Sequence, residues 1–118
     1  MKIAEMVKTY AEVAGQKPSS GLMRLLIEEE FGEWLDSYLG VWDFTPAEEL
    51  KELADLVYVI YGYANVMGFD LDEAVRRVHI NNMERMTQDD GTILKREDGK
   101  IIKNPNTPKV DLEDLVNG

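Results

Sequence analysis

Two pairs of carboxylate residues have the spacing and the surroundings that metal-dependent chemistry needs. Glu30 and Glu33 form the first pair, in the run "IEEEFGEW", and Glu52 and Asp55 form the second, in "KELADLVYVIYGYA". Side chains three residues apart share one face of a helix, with Cβ atoms about 5–6 Å apart. Both pairs border apolar residues, so we expect two packed helices to bring the four carboxylates together. The apolar stripe beside the first pair consists of Met23, Ile27, Phe31, Trp34 and Tyr38.

Converging carboxylates favour a site for a hard divalent cation. Like charges this close repel one another unless some of them take up protons or a cation lies between them. Mg²⁺ and Mn²⁺ prefer oxygen ligands, and the chain offers no cysteine and a single histidine to softer metals. One acidic pair is usually part of a solvated helix face, whereas two pairs beside apolar stripes favour a magnesium site in which Mn²⁺ can substitute.

The surrounding sequence predicts the helices that must position these carboxylates. Apolar residues recur at three- and four-residue spacing in four segments. The clearest helix start is the capping box formed by Thr45 and Glu48, with Pro46 at the first helical position, and glycines end three of the segments. The predicted helices span about residues 3–14, 21–39, 46–67 and 71–86.

The C-terminal segment has a different pattern. Two short β-prone runs flank Glu97-Asp98-Gly99, which predicts a hairpin. The tail is either a lid over the site, an arm around a neighbouring subunit or a loosely ordered extension. A length of 118 residues allows one domain. We therefore predict an all-α four-helix bundle in a single domain, 1–118, with a helical core at about 1–87 and a hairpin and tail at about 88–118.

Composition and charge exclude several functions. The net charge of −10 repels a nucleic-acid backbone, and a nucleotide would be repelled too unless divalent cations mediate the contact. The sequence has no apolar run of membrane-spanning length and no signal-peptide pattern, so we expect a cytoplasmic protein without a membrane partner. So short a chain builds a small core, and we expect a partner subunit to cover part of its apolar surface.

The acidic motifs resemble those of the MazG-like all-α nucleoside triphosphate pyrophosphohydrolases, which are distantly related to phosphoribosyl-ATP pyrophosphohydrolase. That family has Glu-Glu-x-x-Glu, a gap of one to two dozen residues, and Glu-x-x-Asp. Here the motifs are residues 29–33 and 52–55, with eighteen residues between them. The flanking segments "MVKTYAEVAGQ" and "HINNMERM" are similar to the phage and bacterial branch, although Tyr10 and Ala11 replace its phenylalanine and histidine and Arg85 replaces a lysine.

The resemblance implies hydrolysis of a nucleoside or deoxynucleoside triphosphate, with a purine as the first expectation, to the monophosphate and pyrophosphate. The implied catalytic residues are Glu29 and Glu30, Glu29 being either a further ligand or the base that takes a proton from the attacking water. The implied metal ligands are Glu30, Glu33, Glu52 and Asp55. Residues expected to contact phosphate or sugar are Asn81, Asn82 and Arg85 on the fourth helix and Lys95, Lys100 and Lys103 in the tail.

The resemblance also implies a homodimer or homotetramer, in a bacterial cell or in the host cytoplasm if a phage encodes the protein. Two other functions stay open at this stage. Phosphoribosyl-ATP hydrolysis is the first, although that relative usually ends soon after its helices, whereas this chain continues into a tail. The second is a non-catalytic helical module that binds a protein partner, with the acidic residues as an ordinary polar face.

Overall fold

The computed structural model describes residues 1–116, and four α-helices account for most of them. Helix boundaries agree with the predicted ones to within one residue. Within the described range there is no strand, so the all-α class is confirmed. The helices are α1 (Ile3–Val13), α2 (Ser20–Leu39), α3 (Pro46–Met67) and α4 (Leu71–Arg85), and a 3-10 turn, Glu113–Leu115, follows in the tail.

Local capping signals determine where α2 and α3 begin and end. The Ser19 hydroxyl accepts a hydrogen bond from the first turn of α2. Thr45 and Glu48 form the predicted capping box, in which each side chain accepts from the other residue's backbone amide. Gly40 and Gly68 end the two helices in the left-handed conformation, with φ of 69° and 73°. Both acidic pairs therefore lie well inside regular helices.

Helix α3 is the central element, because α1 and α2 both pack against it. Along α1, the Asn65 side-chain amide donates to the Ala4 carbonyl at 3.0 Å, and the rings of Tyr10 and Tyr58 meet edge-on with centroids 5.9 Å apart. Numbers rise along α1 as they fall along α3, so these two helices are antiparallel.

The core between the three helices is small. Val7, Met23, Tyr61 and Ala64 are the buried apolar residues of the described chain, and Met23 extends over Gly62 of α3. The radius of gyration is 17.8 Å, whereas a compact domain of this length has about 13.5 Å. A single chain therefore leaves much of its apolar surface in contact with solvent.

The aromatic half of the predicted α2 stripe is part of that exposed surface. Phe31, Trp34 and Tyr38 form a row along α2, with successive ring centroids 6.0 and 5.9 Å apart. Phe31 is 48% exposed and Tyr38 is 68% exposed, so the described part of the chain covers these two rings only in part. The apolar stripe of α2 therefore packs into the core at Met23, whereas Phe31 and Tyr38 face solvent.

Helix α4 packs against α1 and against the tail, which runs back along it. In the middle of α4, Arg77 forms a bidentate ion pair with Asp114, with N–O distances of 2.6 and 2.9 Å. The Asp70 amide, at the N-cap of α4, donates to the Leu115 carbonyl at 3.2 Å. The last part of the described tail, from Pro108 to Leu115, therefore contacts its own α4.

The predicted hairpin is present in a minimal form. Its two arms pair at one isolated antiparallel bridge between Lys95 and Ile101, and Gly99 closes the turn with φ of 88°. Beside it, the buried Asn104 side chain donates to Asp89 at 2.8 Å, which ties the base of the hairpin to the segment that follows α4.

None of the helices in residues 1–116 combines the length and apolar character needed to cross a bilayer.

Candidate functional site

Three of the predicted carboxylates meet where α2 packs on α3. Glu30, Glu33 and Glu52 each offer one carboxylate oxygen, and these oxygens all lie within 4.8 Å of one another. Glu30 and Glu52 are half-buried, whereas Glu33 is exposed at the rim. This group, the acidic cluster, is the arrangement expected when an acidic i, i+3 pair on α2 faces an antiparallel α3.

Two oxygens of the acidic cluster are buried without a hydrogen-bond partner among the described residues: Oε2 of Glu30 and Oε2 of Glu52. A buried charged oxygen that lacks a donor is strongly unfavourable. No lysine, arginine or backbone amide satisfies these two atoms, and carboxylate oxygen is the ligand that hard divalent cations prefer. The donor set therefore fits Mg²⁺ or Mn²⁺.

Mutual repulsion and loss of solvent disturb the ionisation of this group. A hydrogen bond with Glu30, loss of solvent and the charge of Glu30 raise the pKa of Glu33, although a hydrogen bond with Glu52 acts in the opposite direction. Burial raises the pKa of Glu52, and the positive charge of Lys51 partly offsets the increase. Two carboxyls can share a hydrogen bond only when one holds a proton, so the cluster favours proton uptake, as expected for crowded like charges.

Asp55, the fourth predicted ligand, lies outside the acidic cluster because it has another partner. Its Oδ2 accepts from the Lys51 ammonium at 2.7 Å, one helical turn earlier on α3. This contact, with the charges of Asp55 and Glu52, raises the pKa of Lys51. Glu29 is exposed beside the cluster, and its charge contributes to the raised pKa of Glu33.

A groove with a volume of about 670 Å³ extends from the acidic residues between α1 and α2, with α3 as its floor. Glu30 and Asp55 line one part of it, and Asn65 lies ten residues beyond Asp55 on α3, a separation of about 15 Å along the helix axis. The volume is in the range of small-molecule sites. Its apolar lining includes Val7, Tyr10, Ala11, Leu26, Tyr58 and Val59.

Besides Glu30, Asp55 and Asn65, the groove has polar residues from α1 and from the connector between α1 and α2. Lys8 and Glu12 line it from α1, and Gln16 and Lys17 line it from the connector. The sequence interpretation missed these residues because it assigned substrate contacts to α4 and the tail. One feature of α1 could have indicated them: Lys8 and Glu12 lie close in sequence to Tyr10, which belongs to the apolar face of this helix.

The residues predicted to contact the substrate lie on α4 and the tail, and none of them lines the groove of its own chain. The reason is that α4 packs against α1 and the tail and adds nothing to the groove walls. The Asn81 amide donates to the Pro108 carbonyl at 2.8 Å, and the Arg85 Nε atom is buried without a partner among the described residues. Exposed to solvent are Asn82, Lys95, Lys100 and Lys103.

The fold and the paired acidic helices define the class of protein, and comparison with known proteins supplies the family. Residues 3–82 match the family model of phosphoribosyl-ATP pyrophosphohydrolase. The chain belongs to that family and is a nucleotide pyrophosphohydrolase with a MazG-like all-α fold. The interpretation as a non-catalytic helical module is therefore wrong.

One solved structure with the same fold is described as the cyanophage S-2L MazG-like pyrophosphohydrolase, bound to dGDP and three catalytic Mn²⁺ ions per active site. The two chains are 20% identical, with a TM-score of 0.55, and the match covers 89% of this chain and 91% of that one. No curated protein sequence matches this chain.

Proposed function

We propose that the protein hydrolyses a nucleoside or deoxynucleoside triphosphate, with a purine base, to the monophosphate and pyrophosphate in the presence of Mg²⁺. The observation that carries the proposal is the acidic cluster, with two buried carboxylate oxygens lacking a partner, at one end of a groove of nucleotide size. The cytoplasm, where nucleoside triphosphates are made and used, is the compartment that fits this activity.

Glu30, Glu33, Glu52 and Asp55 are the residues that would hold the divalent cations. When bound, such cations neutralise phosphate charge and lower the pKa of a coordinated water. They would also reduce the electrostatic repulsion between the triphosphate and this chain, whose net charge is −10. Mn²⁺ has the same preference for oxygen ligands and is expected to substitute.

Glu29 is the carboxylate that we assign to proton transfer. It is exposed beside the acidic cluster and has no ion pair or hydrogen bond among the described contacts, so its oxygens are free to accept a proton. In the proposed reaction, water attacks the α-phosphorus, the bond from that phosphorus to the α,β-bridging oxygen breaks, and pyrophosphate leaves. The proton from the attacking water passes to a Glu29 carboxylate oxygen.

The apolar part of the groove is the position we propose for the nucleoside. A triphosphate held at Glu30 and Asp55 leaves the sugar and base to extend along α3, between α1 and α2. There Tyr10 and Tyr58 line the groove and offer aromatic surface, and Gln16 offers an amide to base edges.

A homodimer or homotetramer completes the proposal. Three features support an oligomer: the exposed aromatic side chains on α2, the large radius of gyration and the few contacts that α4 makes. Each leaves apolar surface that a second copy of the chain would cover. Sedimentation velocity should find a dimer or larger species, and a monomer at micromolar concentration would contradict this part.

The direct test is a screen of the common ribo- and deoxyribonucleoside triphosphates, together with phosphoribosyl-ATP, with Mg²⁺ and with EDTA. We expect a purine triphosphate to give its monophosphate and pyrophosphate in a Mg²⁺-dependent reaction. Exclusive turnover of phosphoribosyl-ATP would favour the alternative that the family name suggests. Release of orthophosphate instead of pyrophosphate would reject the proposed reaction.

A further inference from the structure

Lys51 binds one of the carboxylates that the metal site needs. Its ammonium lies 2.7 Å from Oδ2 of Asp55, and the residue between them in the acidic motif, Glu52, belongs to the acidic cluster. The Lys51 side chain is 69% exposed, whereas that of Asp55 is 34% exposed. The ammonium therefore reaches in from solvent on a flexible stem to a carboxylate that borders the groove.

An ammonium and a divalent cation compete for the same carboxylate oxygen. Mg²⁺ takes its oxygen ligands at about 2.0–2.1 Å and demands near-octahedral geometry. An oxygen that accepts a charge-assisted hydrogen bond from Lys51 has its lone pair directed at that donor, and a second cation beside the ammonium would be repelled by it. The two cations repel each other across one small carboxylate, so each weakens the binding of the other to Asp55.

We propose that Lys51 is an internal competitor for the divalent cation at Asp55, so that metal binding requires the Lys51 ammonium to leave this carboxylate. The proposal rests on the metal site of the proposed function. It accounts for the position of Asp55 outside the acidic cluster, because its ion pair directs the carboxylate to Lys51. When the cation at Asp55 displaces Lys51, the charge in direct contact with this carboxylate rises by one and not by two.

The released ammonium stays tethered one turn from Asp55, on the acidic face of α3. Since the proposed function places the triphosphate beside Asp55, the released ammonium would be near its phosphates. Its departure on metal binding would thus supply a positive charge to substrate only after the metal is in place.

Isothermal titration of Mn²⁺ into the full chain, without nucleotide, tests the competition through a readout other than activity. We expect Lys51→Met to bind Mn²⁺ about two- to fivefold more tightly than the wild type, the range set by a solvent-exposed ion pair. Lys51→Arg keeps a cation and should bind Mn²⁺ as the wild type does.

The matched control is Arg24→Met, which removes one positive charge from another exposed i, i+4 pair, between Arg24 and Glu28 on α2. It should change the Mn²⁺ dissociation constant by less than about twofold, because it alters the overall charge and not the competition. In an Asp55→Asn background, Lys51→Met should likewise have no effect, since the shared carboxylate is gone. Thermal melts verify that each variant is folded.

The outcomes separate the two proposals. If Lys51→Met binds Mn²⁺ no better than the wild type, or if its gain persists with Asp55→Asn, the competition is rejected and the metal site stands. If the wild type binds no Mn²⁺ at millimolar concentration, the metal site of the proposed function is rejected, and the competition with it.

Discussion

Met23 of α2 extends across Gly62 of α3, and this contact brings the two acidic helices together. A Cβ atom placed on Gly62 would overlap the Met23 Cε atom and would touch Val7 at 3.8 Å. The absence of a side chain at Gly62 lets the methionine lie on the α3 backbone. The spacing of α2 and α3, and therefore of Glu30 and Glu52, depends on this packing.

Gly62→Ala should destabilise the protein by about 1 kcal/mol. Overpacking a core costs about 1–3 kcal/mol, and the better helix propensity of alanine returns about 1 kcal/mol. Urea unfolding measures the difference. Gly32→Ala is the matched control, because nothing lies within 4 Å of a Cβ at that helical position. It should stabilise the protein by about 0.5–1 kcal/mol, and an equal gain in Gly62→Ala would show that the Met23 contact is unimportant.

Glu52→Gln should abolish most activity while leaving the fold intact. It removes a charged ligand atom from the acidic cluster, so we expect kcat/KM with Mg²⁺ to fall by about 100-fold or more. In EDTA its melting temperature should equal or exceed that of the wild type, because the pKa of Glu52 is already raised by burial and a neutral amide removes repulsion. The rise in melting temperature that Mg²⁺ gives the wild type should be lost.

The matched control for this variant is Glu28→Gln. Glu28 is an exposed acid on the same helix as Glu30, and its partner is Arg24 at 2.8 Å, not the cluster. Its kcat/KM should change by less than about twofold. Equal losses in Glu28→Gln and Glu52→Gln would mean that overall charge, and not the cluster, supports catalysis.

Ala11→Phe should separate nucleotide binding from metal binding. Ala11 lines the apolar part of the groove, and a phenyl ring there would occupy space proposed for the nucleoside. We expect KM to rise about tenfold or more while the Mn²⁺ affinity without nucleotide stays unchanged. Ala14→Phe, at an exposed residue that does not line the groove, should leave KM unchanged. If KM is unchanged in Ala11→Phe, the proposal that the nucleoside binds in this groove is rejected.

The ion pair between Arg77 and Asp114 should make stability depend on pH. The Arg77 guanidinium holds the pKa of Asp114 below its usual value of 3.8. A lowered folded-state pKa adds to the free energy of unfolding above the unfolded pKa, and the addition is lost as pH falls through the lowered value.

Asp114→Asn lacks this contribution, so its free energy of unfolding should lie below that of the wild type at pH 7, and the gap should close as pH falls below 3.8 and through the lowered folded-state pKa. Urea unfolding at several pH values measures both curves. A constant gap between the two proteins down to pH 2.5 would assign the effect to packing and not to the charge of Asp114.

Helix boundaries were predictable because short-range chemistry sets them. Ser19, Thr45, Gly40 and Gly68 act on the neighbouring turn, so the sequence alone locates the helix ends. The acidic i, i+3 pairs were predictable for the same reason, since helical periodicity places both members on one face. Contacts between elements that are distant in the sequence were not predictable. The sequence has no local signal that directs α4 towards α1 and the tail.

The ion pair of Asp55 is a second feature that the sequence could not predict. Periodicity places Asp55 on the acidic face, and it cannot tell whether Lys51, one turn earlier, binds that carboxylate. The choice depends on competing electrostatic interactions within a few ångströms. The groove was missed because it forms between α1 and α2, which meet through α3 and are not paired by any sequence pattern.

The backbone amide of Asp70 is a natural reporter of tail motion. As the N-cap residue of α4 it has no partner within that helix, and its hydrogen bond goes to Leu115 at the far end of the tail. Deuterium uptake at this amide therefore measures the fraction of molecules whose tail has detached, without any label. Measuring that uptake with and without nucleotide and Mg²⁺ would show whether ligand binding at the acidic helices changes how often the tail detaches.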